Sequence, residues 1–413
     1  PEKMAATHIG LGSIEYPSHF HFGPPLPLRR TSPVVFSKRI TSTNRAGSAL
    51  LDACTSSRDR LCTITGNDQV DPIAAVPPVV SEYLGNLRGL LVTSVEAAEG
   101  AEAKFDSPLR SACGKFVWTQ WTDGSTGTQV GDVLFDAACS LVSAAICLQR
   151  YACARAAKKG EEEDVKLAFR ALVIAISYVT FAESLVPSTL GGVAALSPDM
   201  QPQAIKFLKQ VLTAQAQELT LARAEAVGHA LLLVSKLASE AARLYGEASI
   251  SVPFSAATSS GKKNQLQWKS YLDMKQFFFT AESRVYQAME MWSDKDKERT
   301  PGPAIKCSAL GMASLDKAVA AAAVYTKASK VSEPIPQMQS TGRRLKLQAD
   351  TINRTNNLVH RAPMPAEVPP MPEPQCTIPL SPFAMPPPGQ DCTQDAITDL
   401  LKFVAPPEAP AAP

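Results

Sequence analysis

The chain has 413 residues, of which 45 % are hydrophobic and 19 % charged, a composition typical of a folded protein with a sizeable core. Its 41 lysines and arginines against 39 acidic residues leave a net charge of +2, which disfavours nucleic acid or a basic membrane face as the main activity. Fifteen of the 33 prolines lie between Pro363 and Pro413. The proline excess therefore belongs to one tail.

Neither the apolar runs nor the cysteines indicate a membrane-spanning or secreted protein. The longest apolar runs, 137–148 and 171–182, are shorter than the roughly 20 residues that cross a bilayer, so we expect no transmembrane segment. The nine cysteines include no Cys-x-x-Cys pair, which is typical of reduced thiols in an intracellular compartment. The basic, acid-poor stretch 24–62 is either what remains beside a removed organelle-targeting segment or an ordinary exposed arm.

Periodicity predicts a helical body between two extended ends. Residues 1–45 are rich in proline, serine and aromatic residues without a period, so we expect an extended N-terminal arm. From 46 to 361, apolar residues recur every three or four positions, which predicts a domain of eight or nine helices in an elongated solenoid. The aromatic stretch Lys115–Trp121 predicts one minor β element, closed by the turn Asp123-Gly124.

Local signals predict where several helices begin. The acidic run Gly160–Asp164 is interpreted as the first turn of a helix to Leu185, where carboxylates stabilise the helix dipole, and not as a metal site. Ser197-Pro198-Asp199 and Thr300-Pro301 each combine a capping hydroxyl with proline at the first helical position. Both therefore predict further helix starts.

The tail 362–413 is predicted to be proline-rich and extended or disordered, except for a short amphipathic helix at 393–404. Thr393 can cap this helix, and its apolar face consists of Ile397, Leu400, Leu401 and Val404. This face either docks on the chain's own helices or binds a partner groove. The same question applies to the large apolar residues of the arm, which are Phe20, Phe22, Leu26, Leu28, Val34, Val35 and Phe36.

No motif in the sequence predicts catalysis. A GxGxxG after a strand, a Walker-type loop, His-Glu-x-x-His and Gly-x-Ser-x-Gly are all absent from the sequence. His19-x-His21 has no third ligand nearby in sequence, and His229 is expected to have a structural role. We therefore expect a protein that is not an enzyme and that uses no cofactor or metal.

Four segments, in order along the chain, resemble the Bro-one (BRO) domain family, the helical scaffold of the Alix and rhophilin type. Phe116–Trp121 followed by Val133–Ala145 resembles the family's aromatic strand and small-residue helix. Leu212-Thr-Ala-Gln-Ala-Gln-Glu218 is similar to its "LAQAQE" run. Ser235–Tyr245 and Trp268–Tyr286 are similar to the two helices that follow. The resemblance implies an all-α, boomerang-like solenoid with tetratricopeptide-like helical packing, a minor β element and extended arms.

The resemblance also implies a binding site. In this family a hydrophobic patch on two consecutive helices captures the C-terminal helix of ESCRT-III subunits, and the match places the patch at Thr220, Leu233 and Leu237. The two leucines are four residues apart and therefore share a helix face. Thr220 departs from the family, which usually has a large aromatic residue there. The polar residues of the matched run are interpreted as core positions: Gln215, Gln217 and Glu218.

Two functions remain open from the sequence. The first is a non-enzymatic protein-binding scaffold in ESCRT-linked endosomal sorting or membrane remodelling, located in the cytoplasm at endosomes. The alternative is a permanent structural subunit of a large assembly in mitochondria or the axoneme. The basic N-terminal region, the long arms and Thr220 favour the alternative, because arms that fold on neighbouring subunits are common in stable complexes. Both predict protein partners and no nucleic acid.

Overall fold

The computed structural model describes residues 20–67, 70–95, 105–158, 162–254, 259–293, 301–330, 336–379 and 381–404. These residues contain eleven α-helices, which confirms the all-α prediction. They are α1 (Arg45–Thr65), α2 (Pro72–Leu91), α3 (Leu109–Ala112), α4 (Val133–Ala156), α5 (Glu162–Leu185), α6 (Pro202–Val227), α7 (Leu231–Ile250), α8 (Ser259–Ser293), α9 (Pro301–Ser329), α10 (Pro336–Thr355) and α11 (Gln394–Leu401).

The described residues form two compact units. The first contains residues of Pro1–Pro24, Cys153–Phe169 and Gln210–Pro379, and therefore α7, α8, α9 and α10. The second contains residues of Pro25–Ala152, Arg170–Lys209 and Leu380–Pro413, and therefore α1, α2, α3 and α11. Helices α4, α5 and α6 contribute residues to both units.

Most helix starts agree with the local signals in the sequence. The first turn of α5 carries Glu162, Glu163 and Asp164, and α9 begins at Pro301. The predicted helix start at Ser197-Pro198-Asp199 is an exception, because only a 3-10 turn begins there and α6 begins at Pro202. The Asp199 carboxylate pairs with Arg29 at 3.2 Å and accepts from the Trp121 backbone N–H at 3.1 Å. Asp199 therefore connects the 3-10 turn Pro198–Met200 to the arm and to the aromatic stretch.

The predicted β element is a set of isolated bridges and not a regular strand. Phe116 pairs with Val130, and Thr119 pairs with Thr126 across the predicted turn. Gly124 lies in this turn with φ +77°, in the left-handed region that glycine enters without a steric penalty. In the described residues the aromatic stretch therefore forms a short hairpin-like loop.

In the second unit, Asp136 holds this loop to the helices. Its carboxylate accepts from Arg58 Nε and Nη2, both at 2.9 Å, from Trp118 Nε1 at 2.8 Å and from the Tyr83 hydroxyl. Burial alone would raise the pKa of the Asp136 carboxyl. The positive charge of Arg58 and the hydrogen bonds from Arg58, Tyr83 and Trp118 outweigh this effect and lower the pKa overall. Asp136 is therefore a buried anion whose charge is balanced by Arg58.

In the first unit, α8 packs against both α7 and α9. At Gly311 of α9, helices α8 and α9 approach closely, since a Cβ there would lie 2.8 Å from Val285 and 3.2 Å from the Ala281 carbonyl oxygen. Helix α10 packs on α8 and α9. Residues 362–379, which we call the strap, follow in extended conformation on the same unit.

Several large apolar side chains of the N-terminal arm are buried by the arm's own chain from Phe20 onward. Residues 1–19, including His19, lie outside the described part. In the first unit Phe20 and Phe22 are buried, and His21 lies 2.7 Å from the Tyr325 hydroxyl. Burial, with the charge of Lys275, lowers the pKa of His21 to about 4. In the second unit Leu26, Val34 and Phe36 are buried, whereas Leu28 and Val35 are half-buried, and Val35 directly precedes a 3-10 turn.

Among the described residues, three helices are long and apolar enough to cross a membrane, by length and composition alone. They lie in the segments Val133–Ala156, Glu162–Ser188 and Pro301–Ser329. The apolar runs 137–148 and 171–182 do not reveal them, because charged residues such as Asp136 and Arg170 bound these runs inside longer helices. In the folded chain 89 %, 50 % and 22 % of their most apolar windows are buried. The first is thus mostly covered by protein, and the expected absence of a transmembrane segment stays a prediction.

We expect Asp136→Ala to lower the free energy of unfolding by about 3–5 kcal/mol, because it leaves the buried Arg58 cation without its counterion. The control is Arg60→Gln, on the same helix as Arg58. Arg60 forms an ion pair with Glu82 in which both side chains are exposed, so its loss should change stability by no more than about 1 kcal/mol. Urea denaturation followed by circular dichroism measures both. Equal losses from the two variants would contradict the structural role of Asp136.

Candidate partner-binding groove

Helices α6 and α7 form a tight hairpin that positions the predicted patch. Gly228, with φ +77°, ends α6, and the N–H of His229 donates to the Ala224 carbonyl at 3.0 Å, so the carbonyl left free by the helix end is satisfied. Only three residues separate the two helices, from Gly228 to Ala230. Thr220 and the two predicted leucines therefore lie on consecutive helices, as the family resemblance implies.

Buried polar side chains connect the helices next to this hairpin. Gln217 donates from Nε2 to the Leu237 carbonyl of α7 at 3.2 Å. Glu218 accepts from Lys275 Nζ of α8 and from the Tyr245 hydroxyl, both at 2.6 Å, and the Glu218 and Lys275 side chains are almost fully buried. The interpretation of these residues as core positions agrees with this placement, and they are not available to a partner.

The strap is held on the helices of the first unit by hydrogen bonds. Its proline carbonyls accept from helix side chains: Ser239 Oγ donates to the Pro372 carbonyl at 3.0 Å, and Arg284 Nη1 donates to the Pro369 carbonyl at 2.7 Å. Gln217 Nε2 also donates to the Gln375 carbonyl at 3.1 Å. The strap is therefore fixed along the helices of the first unit by donors that its own prolines cannot supply.

A cavity of about 310 Å³ opens between α5, α6 and the end of the strap. Its apolar lining comes from Val165, Phe169 and Leu219, and Thr377 and Pro379 of the strap close one side. This volume is at the lower end of the range for binding pockets, which is enough for a large apolar side chain.

Two exposed cations, Lys166 and Arg223, also line this cavity. Lys166 pairs with Glu162 at 2.9 Å across one helical turn. The hydrogen bond and charge of Lys166, and then the charge of Arg223, lower the pKa of the Glu162 carboxyl. Two cations against the one carboxylate of Glu162 leave a net positive charge at the rim of the cavity, which favours an acidic group on a partner that enters it.

The three predicted patch residues differ in their accessibility. Thr220 is half-buried and lines the cavity, with its hydroxyl bonded to the Ala216 carbonyl of its own helix at 3.1 Å. Leu233 is half-buried, whereas Leu237 is only 3 % exposed. Neither leucine lines the cavity. Leu233 is therefore the patch leucine that a partner can reach.

Sequence reasoning missed the residues that complete the groove. Phe169 and Lys166 belong to α5, about 50 residues before Thr220 in the chain, and Pro379 belongs to the strap. Phe169 and Lys166 are three residues apart and so share a face of α5, which is the one signal that could have drawn attention to them.

The tail docking helix α11 packs on α1 and α2 in the second unit. Ile397 and Leu400 are fully buried, Leu401 and Val404 are half-buried, and the predicted Thr393 cap is confirmed by a bond from the Ala396 N–H at 3.2 Å. Earlier in the tail, the Phe383 ring packs edge-on against Tyr178 at 5.0 Å. In this structure the apolar face of α11 is thus occupied by its own chain.

Asp399 attaches α11 to the segment before α1. Its carboxylate accepts from the Thr43 hydroxyl at 2.6 Å, the Ser42 hydroxyl at 2.8 Å, and the backbone N–H groups of Thr43 and Asn44 at 2.9 and 3.2 Å. The Thr43 hydroxyl contributes most, and together these donors lower the pKa of Asp399 to about 2.

We expect Asp399→Asn to lower the melting temperature at neutral pH, because the amide loses the charge that these four donors stabilise. The folded-state pKa is below the ordinary value of 3.8, so the contribution is complete above pH 3.8 and is lost as the pH falls through about 2. Melting curves across this range should show wild type and variant converging. Asp395→Asn, on the exposed side of the same helix, is the control, and an equal effect from it would contradict the role of Asp399.

A family model of the BRO1-like domain matches residues 98–409. The BRO1 domain-containing protein BROX of Danio rerio is 24 % identical over 383 residues, which cover 89 % of this chain and 88 % of the relative. The structure of ALIX in complex with the SIVmac239 PYKEVTEDL late domain has a TM-score of 0.67 at 16 % identity, over 93 % of this chain. The ALIX BRO1 CHMP4C complex has a TM-score of 0.64 at 15 % identity, over 90 % of this chain and 98 % of that one.

The structural likeness shows the shared fold, and this chain spans about half (51 %) of the longer ALIX chain. The family match runs through the predicted boundary at 361/362 and includes the strap and α11. The resemblance drawn from four short segments is confirmed by this match. The chain belongs to the BRO1-like domain family.

Proposed function

We propose that this chain is a non-enzymatic scaffold of ESCRT-linked sorting or membrane remodelling, and that its α5–α6–strap cavity receives an amphipathic helix of an ESCRT-III-type partner. The observation that carries the proposal is the cavity itself, which has an apolar lining, two cations and Thr220. An amphipathic helix with acidic residues beside its apolar stripe matches both features.

Leu233 extends the proposed contact along α7. It is half-buried, so part of its side chain can be covered by a partner without rearrangement of the fold. Leu237, one turn further along α7, is instead buried, and its backbone carbonyl accepts a hydrogen bond from Gln217 of α6. We therefore assign Leu237 to the packing of the α6–α7 hairpin. The proposed groove therefore consists of Thr220, Leu233, Phe169 and Leu219, with Lys166 and Arg223 at the rim.

The choice of partner follows the family. The ALIX BRO1 domain, which has the same fold, occurs in a complex with CHMP4C. A peptide of the C-terminal amphipathic helix of CHMP4C is therefore the first probe to test on this chain. We also propose endosomes as the place where such capture occurs in cells.

We expect Leu233→Asp to weaken binding of the CHMP4C peptide by about 2 kcal/mol or more, because a charge in an apolar contact must be desolvated without a counterion. Fluorescence anisotropy with the full chain measures the affinity, and circular dichroism verifies the fold. The matched control is Leu232→Asp, an exposed neighbour that points about 100° away around α7 and should leave binding unchanged. Equal effects of the two variants, or an absence of wild-type binding, would contradict the proposed groove.

Thr220→Phe should strengthen binding of the same peptide. Thr220 bonds only to a carbonyl of its own helix, so its replacement leaves no partner group on another element unsatisfied. An aromatic ring would add apolar contact area inside the cavity, where Thr220 offers little. Weaker binding of this variant would show that the partner itself fills the space beside Thr220.

A further inference from the structure

The helices near the end of the first unit carry a large excess of positive charge. Residues 301–361, which contain α9, α10 and the turn that follows, have nine lysines and arginines against three acidic residues. The whole chain has a net charge of only +2, so the remainder is net negative. The near-neutral total therefore hides a strongly basic region in the first unit.

Part of this charge stands on one side of α10, which we call the outer face: Arg343, Lys346, Leu347, Arg354 and Leu358. These residues recur at helical spacing, and all five are exposed. Leu358 lies in the π-helical turn Asn356–His360 that continues α10. The opposite side of the helix is buried in the first unit through Leu345, Ala349 and Ile352.

The cations on the two sides of α10 differ in their partners. Arg344 points inward and pairs with Glu225 at 2.7 Å and Glu282 at 3.6 Å. Among the described residues, no ion pair within 4.0 Å involves Arg343, Lys346 or Arg354, and Asp350 on the same side pairs with none of them. Arg343 Nε donates to the Gln339 carbonyl at 3.1 Å, but in the described residues no carboxylate neutralises any of these three charges, so they can bind an external anion.

The outer face also exposes apolar surface between its cations. The exposed fraction is 64 % for Leu347 and 68 % for Leu358, and the adjacent Val359 is 68 % exposed as well. Single exposed leucines are common, but leucines interspersed with unpaired cations along one helix are typical of helices that lie on lipid headgroups.

The shape of the outer face favours a broad, flat partner. An exposed helix flank is convex and cannot enclose a peptide. The five side chains extend over about 22 Å along the axis, so a planar surface can contact all of them at once.

We propose that the outer face of α10 binds the surface of an anionic lipid bilayer. Arg343, Lys346 and Arg354 contact the headgroup phosphates and carboxylates, while Leu347 and Leu358 insert among the headgroups. This surface is formed by a different helix from the partner groove, and it does not depend on the proposed function.

Flotation of the full chain with lipid vesicles tests this proposal. We expect binding to vesicles of phosphatidylcholine and phosphatidylserine, a loss of binding as the salt concentration rises, and little binding to phosphatidylcholine alone. An absence of wild-type binding to the phosphatidylserine vesicles, or equal binding to both kinds of vesicle, would overturn the proposal.

Two variants locate the binding surface. Arg343→Gln/Lys346→Gln/Arg354→Gln should weaken partition onto the anionic vesicles about a hundredfold, since each cation near such a surface strengthens binding about fivefold. The control Lys158→Gln/Lys262→Gln/Lys263→Gln removes the same charge from exposed positions elsewhere and should have a much smaller effect. Equal effects of the two triple variants would overturn the assignment to α10.

Leu347→Ser/Leu358→Ser retains every charge and should still weaken vesicle binding, while binding to soluble poly-glutamate should stay unchanged. Wild-type binding to poly-glutamate without binding to vesicles would overturn the proposal in favour of an acidic protein partner. All variants should keep the wild-type circular dichroism spectrum, because the substituted side chains are exposed.

Discussion

Buried carbonyl groups need hydrogen-bond donors, and in a proline-rich segment the segment's own backbone cannot supply them. This constraint determines how the first unit is built. The strap lies on the helices because side chains such as Ser239 and Arg284 provide the donors that its prolines lack. The strap in turn closes one side of the cavity through Pro379. The candidate groove is therefore a surface that depends on the docking of a segment that has no core of its own.

Buried charged side chains connect the helices to one another, as the hydrogen-bond donors connect the strap to the helices. In the second unit Asp136 gathers donors from Arg58, Tyr83 and Trp118 around one carboxylate. In the first unit Glu218 pairs with Lys275. Breaking such a pair leaves an uncompensated buried charge, which strongly destabilises the packing of the helices and loops that the pair connects. The polar side chains around Glu218 are accordingly buried in the helical interior, where they connect neighbouring helices.

The first unit presents two surfaces of different chemistry. The groove is concave, apolar inside and basic at its rim, which suits one helix of a protein partner. The outer face of α10 is convex and combines unpaired cations with exposed leucines, which suits a lipid surface. Because they are built on different helices, a scaffold with both could hold a protein partner at a membrane. The low net charge of the chain conceals this arrangement, since it averages a basic region with an acidic remainder.

Helical periodicity and start signals are local, so the sequence alone predicted the helical body, the acidic first turn of α5 and the Thr393 cap, and four short segments indicated the family. The position of Thr220 beside a cavity could not be predicted, because Phe169 and Pro379 reach it only through contacts distant in sequence. The four-residue spacing of Leu233 and Leu237 predicted that they share a helix face. It could not show that Leu233 is half-buried whereas Leu237 is buried. Periodicity defines a helix face, whereas only the neighbouring helices and the strap decide which part of that face remains open to a partner.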